Sequence, residues 1–152
     1  MESIQFSNGV TWTEAQLWNA YLTLGAATND TLEGTNAGDT IIGGVGTDYL
    51  DGRAGADTYL FNQGDGLDTL DDNSTDTSVD ILIFSGAGLT SSNAIVTRID
   101  SSSDLQISFA GITDSVILEN QVYGPSSNYG VESIQFSNGV TWTEAQLVNA
   151  IV

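Results

Sequence analysis

The sequence predicts an all-β fold built around a parallel β-roll, in which short strands and turns alternate along a flattened coil. Two observations predict it. Between Gly25 and Leu60 the chain repeats every nine residues, as GAATNDTLE, GTNAGDTII, GGVGTDYLD and GRAGADTYL. Between residues 25 and 130 there is no helical periodicity, and apolar residues fall in short runs separated by turn residues.

The chain begins with a segment that predicts a hairpin followed by a short helix. Ile4–Phe6 and Val10–Trp12 alternate like strands on either side of Ser7–Gly9, and an Asn-Gly pair is the strongest short hairpin signal. Thr13 and Gln16 have the spacing of a capping box, so a short capping helix is expected to start there. Its apolar face is predicted to include Leu17, Tyr21 and Leu22.

The same segment returns near the end of the chain. Residues 132–147 repeat residues 2–17 without a difference, at an offset of 130 residues. The simplest interpretation is a tandem array of similar units. The tail of one unit, residues 1–24, then precedes a β-roll at 25–70 and a β-rich C-terminal part at 71–152. One domain with two similar capping elements is the alternative.

Each nine-residue repeat predicts half of a coil. It contains six residues of turn and three of strand, so two repeats make a full coil of 18 residues. The eighth residue of each repeat is apolar and is expected to point inward. These four side chains are predicted to stack into a narrow core: Leu32, Ile41, Leu50 and Tyr59.

The sixth residue of each repeat is an aspartate. A coil of 18 residues places Asp30 over Asp48 and Asp39 over Asp57. Stacked carboxylates repel each other strongly unless a cation lies between them. Ca²⁺ suits such a gap because it accepts roughly six to eight oxygen ligands, backbone carbonyls included. The chain has no His or Cys, which zinc, copper and iron prefer, so the predicted metal is calcium.

The charge composition agrees with cation binding and excludes several partners. The chain has 20 acidic residues against 2 basic ones, a net charge of −18, and self-repulsion of this size opposes a compact state unless cations neutralise it. Nucleic acid is excluded because no basic patch is available. No apolar run approaches the roughly 20 residues of a transmembrane helix. The absence of histidine excludes histidine-based catalysis, and we expect this chain not to be an enzyme.

The part of the chain after the repeats predicts further strands. Four β-prone runs are separated by stretches rich in Ser, Gly, Asn and Asp. The second hairpin and helix follow, with Leu147 and Ile151 on the apolar face of the helix. Hairpin and helix together are expected to close the open end of the roll. The four runs are Ile81–Phe84, Ile95–Ile99, Leu105–Phe109 and Val116–Leu118.

The nine-residue repeats resemble those of the RTX (repeats-in-toxin) haemolysin-type calcium-binding proteins. The family pattern is G-G-x-G-x-D-x-U-x. GGVGTDYLD at 43–51 fits it fully, and the repeats that start at Gly25, Gly34 and Gly52 lack the second glycine. The later stretches YLFNQGDGLDTLDD, DILIF, DLQIS, TDSVILEN and VESIQFSNGVTWT resemble the haemolysin-type calcium-binding-related region. The resemblance implies a calcium-stacked β-solenoid and covers almost the whole chain.

The resemblance also implies metal ligands by their position in each turn. Each ion would be held by backbone carbonyls of two stacked turns and by the sixth-position aspartates. A first ion is implied at Ala26, Thr28, Asp30, Gly43, Val45 and Asp48. A second is implied at Thr35, Ala37, Asp39, Gly52, Ala54 and Asp57. A third is implied at Gly44, Gly46 and Asp48 with the turn from Gln63 to Asp68.

We therefore predict a structural calcium-binding module of a large secreted or cell-surface repetitive protein, with neighbouring tandem repeat units as partners. The resemblance implies bacterial export by type I secretion and folding on calcium in the extracellular medium. Two alternatives stay open. One is a carbohydrate- or surface-binding module of an adhesin or polysaccharide-acting enzyme, with calcium as scaffold and a cell-surface glycan as ligand. The other is part of a toxin whose activity lies elsewhere. The aromatic residues considered for sugar binding, with packing as the competing explanation, are Trp12, Trp142, Tyr123 and Tyr129.

Overall fold

The computed structural model describes residues 3–5, 11–13, 22–72, 76–99, 102–122 and 129–152. The described residues form fourteen strands and one helix. The strands are β1 (Ser3–Gln5), β2 (Thr11–Thr13), β3 (Leu22–Leu24), β4 (Thr31–Glu33), β5 (Thr40–Ile42), β6 (Tyr49–Asp51), β7 (Thr58–Asn62), β8 (Leu67–Asp71), β9 (Ile81–Ser85), β10 (Ala94–Arg98), β11 (Leu105–Phe109), β12 (Ser115–Leu118), β13 (Ser133–Gln135) and β14 (Thr141–Thr143), and the helix is α1 (Glu144–Asn149).

Two six-stranded sheets carry the chain from β3 onwards. Their strand orders are β3-β5-β7-β9-β13-β14 and β4-β6-β8-β12-β11-β10. From β3 to β9 successive strands alternate between the two sheets, and every pair among them is parallel. This alternation is the half-coil step that the nine-residue repeat predicts. The all-β fold with a parallel β-roll is confirmed.

The strand register shows the 18-residue coil directly. Leu32 lies opposite Leu50, and Ile41 lies opposite Tyr59. Ile41, Leu50 and Tyr59 are buried, whereas Leu32 in the end strand of its sheet is partly buried. Because side chains alternate between the two faces of a strand, the eighth residue of each repeat points into the roll. That prediction is confirmed.

The coil continues beyond the repeats with longer turns. β8 pairs with β6 so that Thr69 lies opposite Tyr49, and β9 pairs with β7 so that Ile81 lies opposite Thr58. These partners are 20 and 23 residues apart, as the adjacent hydrogen-bonded aspartates also are. Both sheets therefore extend past residue 70, where the sequence suggested that the roll ends.

The C-terminal strands complete both sheets and supply the aromatic part of the core. The four predicted β-prone runs form β9, β10, β11 and β12, and the last three of these are joined antiparallel. Phe84 packs edge-to-face on Phe109, with ring centroids 5.0 Å apart. It also stacks on Phe136 at 5.6 Å. This cluster extends the narrow aliphatic core of the roll into a wider one.

The terminal hairpin and helix take the predicted form. β13 and β14 pair antiparallel, and β14 is the outer strand of its sheet. Thr143 caps α1 through a complete capping box with Gln146, and Leu147 is buried. The placement of Ile151 on the helix face is wrong, because α1 ends at Asn149 and Ile151 forms a parallel bridge with Val96 instead.

The first copy of the hairpin also forms, with Ser3 paired to Thr13, while the helix predicted after it lies outside the described residues. Leu22 was expected on that helix and is not helical. It lies in β3 opposite Thr40, because parallel pairing to β5 satisfies its backbone within the sheet. The sheet of the roll thus begins before residue 25, and the division into units at 1–24, 25–70 and 71–152 stays a prediction.

Candidate metal centre

The sixth-position aspartates form two hydrogen-bonded columns along the roll. The amide of Asp30 donates to Oδ1 of Asp48 (2.8 Å), and the amide of Asp48 donates to Oδ1 of Asp68 (3.0 Å). In the other column the amide of Asp39 donates to Oδ1 of Asp57 (2.7 Å). Each aspartate immediately precedes a strand or lies at its start, so the parallel pairing holds the carboxylates one above the next. The structure brings together the same pairs that the 18-residue coil predicts.

The second column extends further than the nine-residue pattern indicates. The amide of Asp57 donates to Oδ1 of Asp80 (2.7 Å), and the amide of Asp80 donates to Oε2 of Glu132 (2.7 Å). Sequence reasoning missed both acids because the spacing changes after Asp57. The signal that could have found them is local, since Asp80 and Glu132 each stand directly before a strand, as Asp39 and Asp57 do.

Several carboxylates also fold back onto their own turn. Oδ2 of Asp30 accepts a hydrogen bond from the amide of Ala26 (2.7 Å). Oδ2 of Asp39 accepts from the amide of Thr35 (2.5 Å) and from its hydroxyl (2.9 Å). In both residues the carboxylate bonds its own turn, while the backbone amide donates to the aspartate one coil away. This geometry makes the aspartate the common element of each pair of stacked turns.

Backbone carbonyls of one turn lie very close to glycines of the stacked turn. A Cβ atom on Gly25 would lie 1.8 Å from the carbonyl oxygen of Gly43. A Cβ on Gly44, whose φ is +87°, would lie 2.8 Å from the carbonyl oxygen of Ala26, and a Cβ on Gly46 would lie 2.6 Å from that of Thr28. A side chain at these positions would collide with the facing carbonyls, so glycine allows the turns to approach this closely.

The implied ligand residues occupy the following places. For the first implied ion, the carbonyls of Ala26, Thr28 and Gly43 approach the facing turn, and Val45 is exposed. For the second, the carbonyl of Gly52 approaches Gly34, and the carbonyl carbon of Ala37 would lie 2.5 Å from a Cβ on Gly55; Thr35 binds Asp39 and Ala54 is partly buried.

For the third implied ion, the two stacked turns are already bridged by backbone hydrogen bonds. The amide of Gly46 donates to the carbonyl of Asp65 (2.7 Å), and its carbonyl accepts from the amide of Leu67 (3.3 Å). Gly44 faces Ala26, and Gln63 lies in the exposed turn with its side-chain oxygen accepting from the amide of Gly88. In this pair of turns the carbonyl of Gly46 thus has a protein partner.

Buried carboxylate oxygens without a hydrogen-bond partner indicate that these turns could hold a cation. Asp39 Oδ1, Asp48 Oδ2 and Asp57 Oδ2 are buried and have no hydrogen-bond partner. Burying such an oxygen without a partner is costly unless a positive charge compensates it. Burial raises the pKa of Asp57 to about 7 and that of Asp68 to about 7, which expresses the same cost of desolvating the charged form. The residues present fit a hard cation.

No side-chain cation is available to neutralise these carboxylates. The chain has two basic residues, Arg53 and Arg98, and no lysine. Arg53 forms an ion pair with Glu33 in which both side chains are about half exposed, and Arg98 is exposed on β10. The donor set is all oxygen, so Ca²⁺ is the metal whose coordination chemistry it matches.

Two family comparisons agree with this geometry. Residues 24–59 match the RTX calcium-binding nonapeptide repeat (4 copies), and all four sixth-position aspartates lie in that range. Residues 104–146 match the haemolysin-type calcium binding protein related domain. The chain thus contains RTX calcium-binding nonapeptide repeats at residues 24–59. Its RTX repeats are calcium-binding repeats, and its second match contains Glu132 of the aspartate column.

One solved structure similar to this RTX chain is the solution structure of a subunit of the Azotobacter vinelandii mannuronan C5-epimerase. It is 24% identical, and the match covers 60% of this chain and 71% of that one, with a TM-score of 0.34. No protein with a curated description matches this chain significantly. Within the described ranges, no helical segment has the length and hydropathy that crossing a membrane requires.

Proposed function

We propose that this chain is a structural module whose RTX roll is held together by Ca²⁺ ions bound between stacked turns. The observation that carries the proposal is the combination of stacked carboxylates with buried oxygens that lack a protein partner. The implied ligand sets around Asp30 and Asp48, and around Asp39 and Asp57, are the sites we propose. In this role the chain supplies stability and spacing rather than catalysis.

Calcium binding is then coupled to folding. Without the ion, the aspartate columns bury negative charge that no basic residue offsets, so residues 25–70 are expected to be largely unfolded. Extracellular calcium modules typically bind in roughly the 10⁻⁴–10⁻³ M range. We propose that the chain stays loose at cytosolic calcium, is exported by type I secretion, and folds outside the cell.

Neighbouring tandem units are the partners we propose. The repeated segment is identical in sequence in its two copies. Both copies form the same hairpin in the same register, Ser3 with Thr13 and Ser133 with Thr143. A hairpin that recurs with the same sequence and register supports a chain in which each unit ends in the same way before the next begins.

We do not propose that this chain binds glycans. Among the described residues, the exposed large apolar side chains are all aliphatic. Trp142 packs on Phe136, with ring centroids 4.7 Å apart, which favours packing over sugar binding for this residue. The side chains of Trp12 and Tyr123 are outside those that the structure describes. Whether the parent protein is a toxin or another secreted protein would be determined by the sequence that flanks this module.

A calcium titration followed by far-UV circular dichroism tests the proposal. In chelator the wild-type chain is expected to lack most of its β-structure and to gain it as calcium is added. Asp48→Asn should raise the calcium midpoint by about tenfold or more, because even outer-shell partners of a metal change its affinity roughly 10- to 100-fold. Asp51→Asn is the matched control, since Asp51 closes the same repeat but lies outside the columns. A complete β-spectrum in chelator above about pH 7, where the buried aspartates are charged, would overturn the proposal.

A further inference from the structure

We infer that Asp57, Asp72 and Asp80 form an additional cation site inside the roll, held by side chains alone. One carboxylate oxygen from each of the three residues lies within 4.8 Å of the others. All three residues are buried, with exposures of 0%, 0% and 1%. The site lies one coil beyond the inter-turn ions of the proposed function, at Asp72 and Asp80, which lie outside the nine-residue pattern.

The topology explains why these three residues meet. Asp57 and Asp80 directly precede β7 and β9, which are paired in one sheet. Asp72 directly follows β8, which belongs to the other sheet. The site therefore joins the two sheets at the place where the coil changes from 18 residues to 23.

An unpartnered oxygen points into this site. Oδ1 of Asp57 accepts the amide of Asp39, but Oδ2 is buried and has no hydrogen-bond partner. A Cβ atom on Gly52 would lie 2.6 Å from that Oδ2 and 2.2 Å from the hydroxyl of Tyr59. The Tyr59 hydroxyl in turn donates to Oδ2 of Asp72 (2.7 Å). The free oxygen and the hydroxyl thus border the same space, and glycine leaves that space open.

Charge decides what kind of ligand this space would take. Three carboxylates this close repel one another, and the interaction is strong where water is excluded. The sequence has no lysine or histidine, and Arg53 is paired to Glu33 at the surface. An anion or a neutral ligand would leave the repulsion in place. A hard divalent cation removes it, and three carboxylates with a nearby hydroxyl are ligands that Ca²⁺ accepts.

The site differs chemically from the inter-turn positions. There, most of the implied ligands are backbone carbonyls, which a substitution cannot remove. Here the ligands are side-chain carboxylates, so they can be changed one at a time. Asp72→Asn and Asp80→Asn keep the size of the side chain and an oxygen that accepts the bond from Tyr59 or from the Asp57 amide, but each removes one negative charge.

The test is the number of calcium ions bound per chain, measured by equilibrium dialysis on the full chain. Asp72→Asn and Asp80→Asn are each expected to bind one ion fewer than the wild type at saturation. Asp71→Asn is the matched control, because it removes the same charge from the adjacent residue, whose Oδ2 accepts from Tyr49 instead. It should bind as many ions as the wild type.

The outcomes separate this inference from the proposed function on which it rests. If the wild type binds no calcium, the proposed function fails as well. If the wild type binds calcium and Asp72→Asn binds the same number of ions, only the additional site is overturned. Both Asn variants could also fail to fold at saturating calcium while Asp71→Asn folds. That result supports the site, because removing one of three repelling charges would stabilise the fold if no cation were bound.

Discussion

The amide of Asp39 donates a 2.7 Å hydrogen bond to one oxygen of Asp57, one coil further along the chain, and the other oxygen of Asp57 is buried without a partner. One carboxylate therefore does two things. It fixes the register between two turns, and it presents an unsatisfied oxygen to the space beside them. The hydrogen bond supplies part of the stabilisation of the buried charge, and the remaining oxygen has no hydrogen-bond partner in the protein.

The close approach between turns makes a steric prediction. Gly25→Ala should destabilise the calcium-bound roll by about 1–3 kcal/mol, the usual cost of overpacking, because its Cβ would lie 1.8 Å from the carbonyl oxygen of Gly43. Denaturation at saturating calcium measures the effect. Gly111→Ala measures backbone strain without a clash, since its φ of +78° disfavours Ala while no atom lies within 4 Å of the added Cβ, so the loss at Gly25 should exceed the loss at Gly111. Equal losses for the two variants would contradict the steric explanation.

The raised pKa values predict how pH acts on the metal-free chain. Burial raises the pKa of Asp57 and that of Asp68 to about 7, above the value of about 4 in an unfolded chain. The folded state then binds more protons than the unfolded state between these values, so its stability is greatest below about pH 4 and is lost as the pH rises through 7.

Circular dichroism in chelator between about pH 4 and pH 8 tests this dependence. The β-signal is expected to decrease as the pH rises. With calcium present the trend should reverse, because protons and the ion compete for the same carboxylates. A β-signal in chelator that grows with pH would contradict the assignment of Asp57 and Asp68 as buried and uncompensated.

Removing the hydroxyl of Tyr59 should destabilise the core. Tyr59→Phe deletes the 2.7 Å hydrogen bond to Asp72 at a fully buried position, and loss of a hydrogen bond to a charged group costs about 1.5–3 kcal/mol. Tyr49→Phe is the matched control, because its hydroxyl bonds Asp71 at a partly exposed position (2.8 Å). Chemical denaturation at saturating calcium should show a larger loss in the free energy of unfolding for Tyr59→Phe than for Tyr49→Phe. A larger loss for Tyr49→Phe would contradict this prediction.

A prediction that does not involve calcium concerns Thr143, the N-cap of α1. Thr143→Ala removes the capping oxygen that accepts from the amide of Gln146 and should cost about 0.5–2 kcal/mol. Thr141→Ala serves as control, because Thr141 is exposed in β14 and caps nothing. The difference should appear in the free energy of unfolding and leave the number of bound calcium ions unchanged. A change in ion number would show that the cap is coupled to the metal sites.

Local patterns were sufficient to predict the roll itself. Because the sequence repeats every nine residues, strand positions, the inward side chains such as Ile41 and Tyr59, and the stacking of Asp39 on Asp57 follow from the period alone. The capping box at Thr143 followed in the same way from spacing within one turn. These features depend on residues that are close in sequence or related by a constant offset.

The tertiary structure alone decided the features that break the period. Asp80 and Glu132 join the aspartate column at offsets of 23 and 52 residues, and the lengths of loops do not reveal which strands they bring together. Leu22 lies in a strand because β5 offers it a partner, which no local preference indicates. Asp72 meets Asp57 and Asp80 only because two sheets close around one core. The repeat determined the coil, and packing between sheets determined which acids outside the repeat point into it.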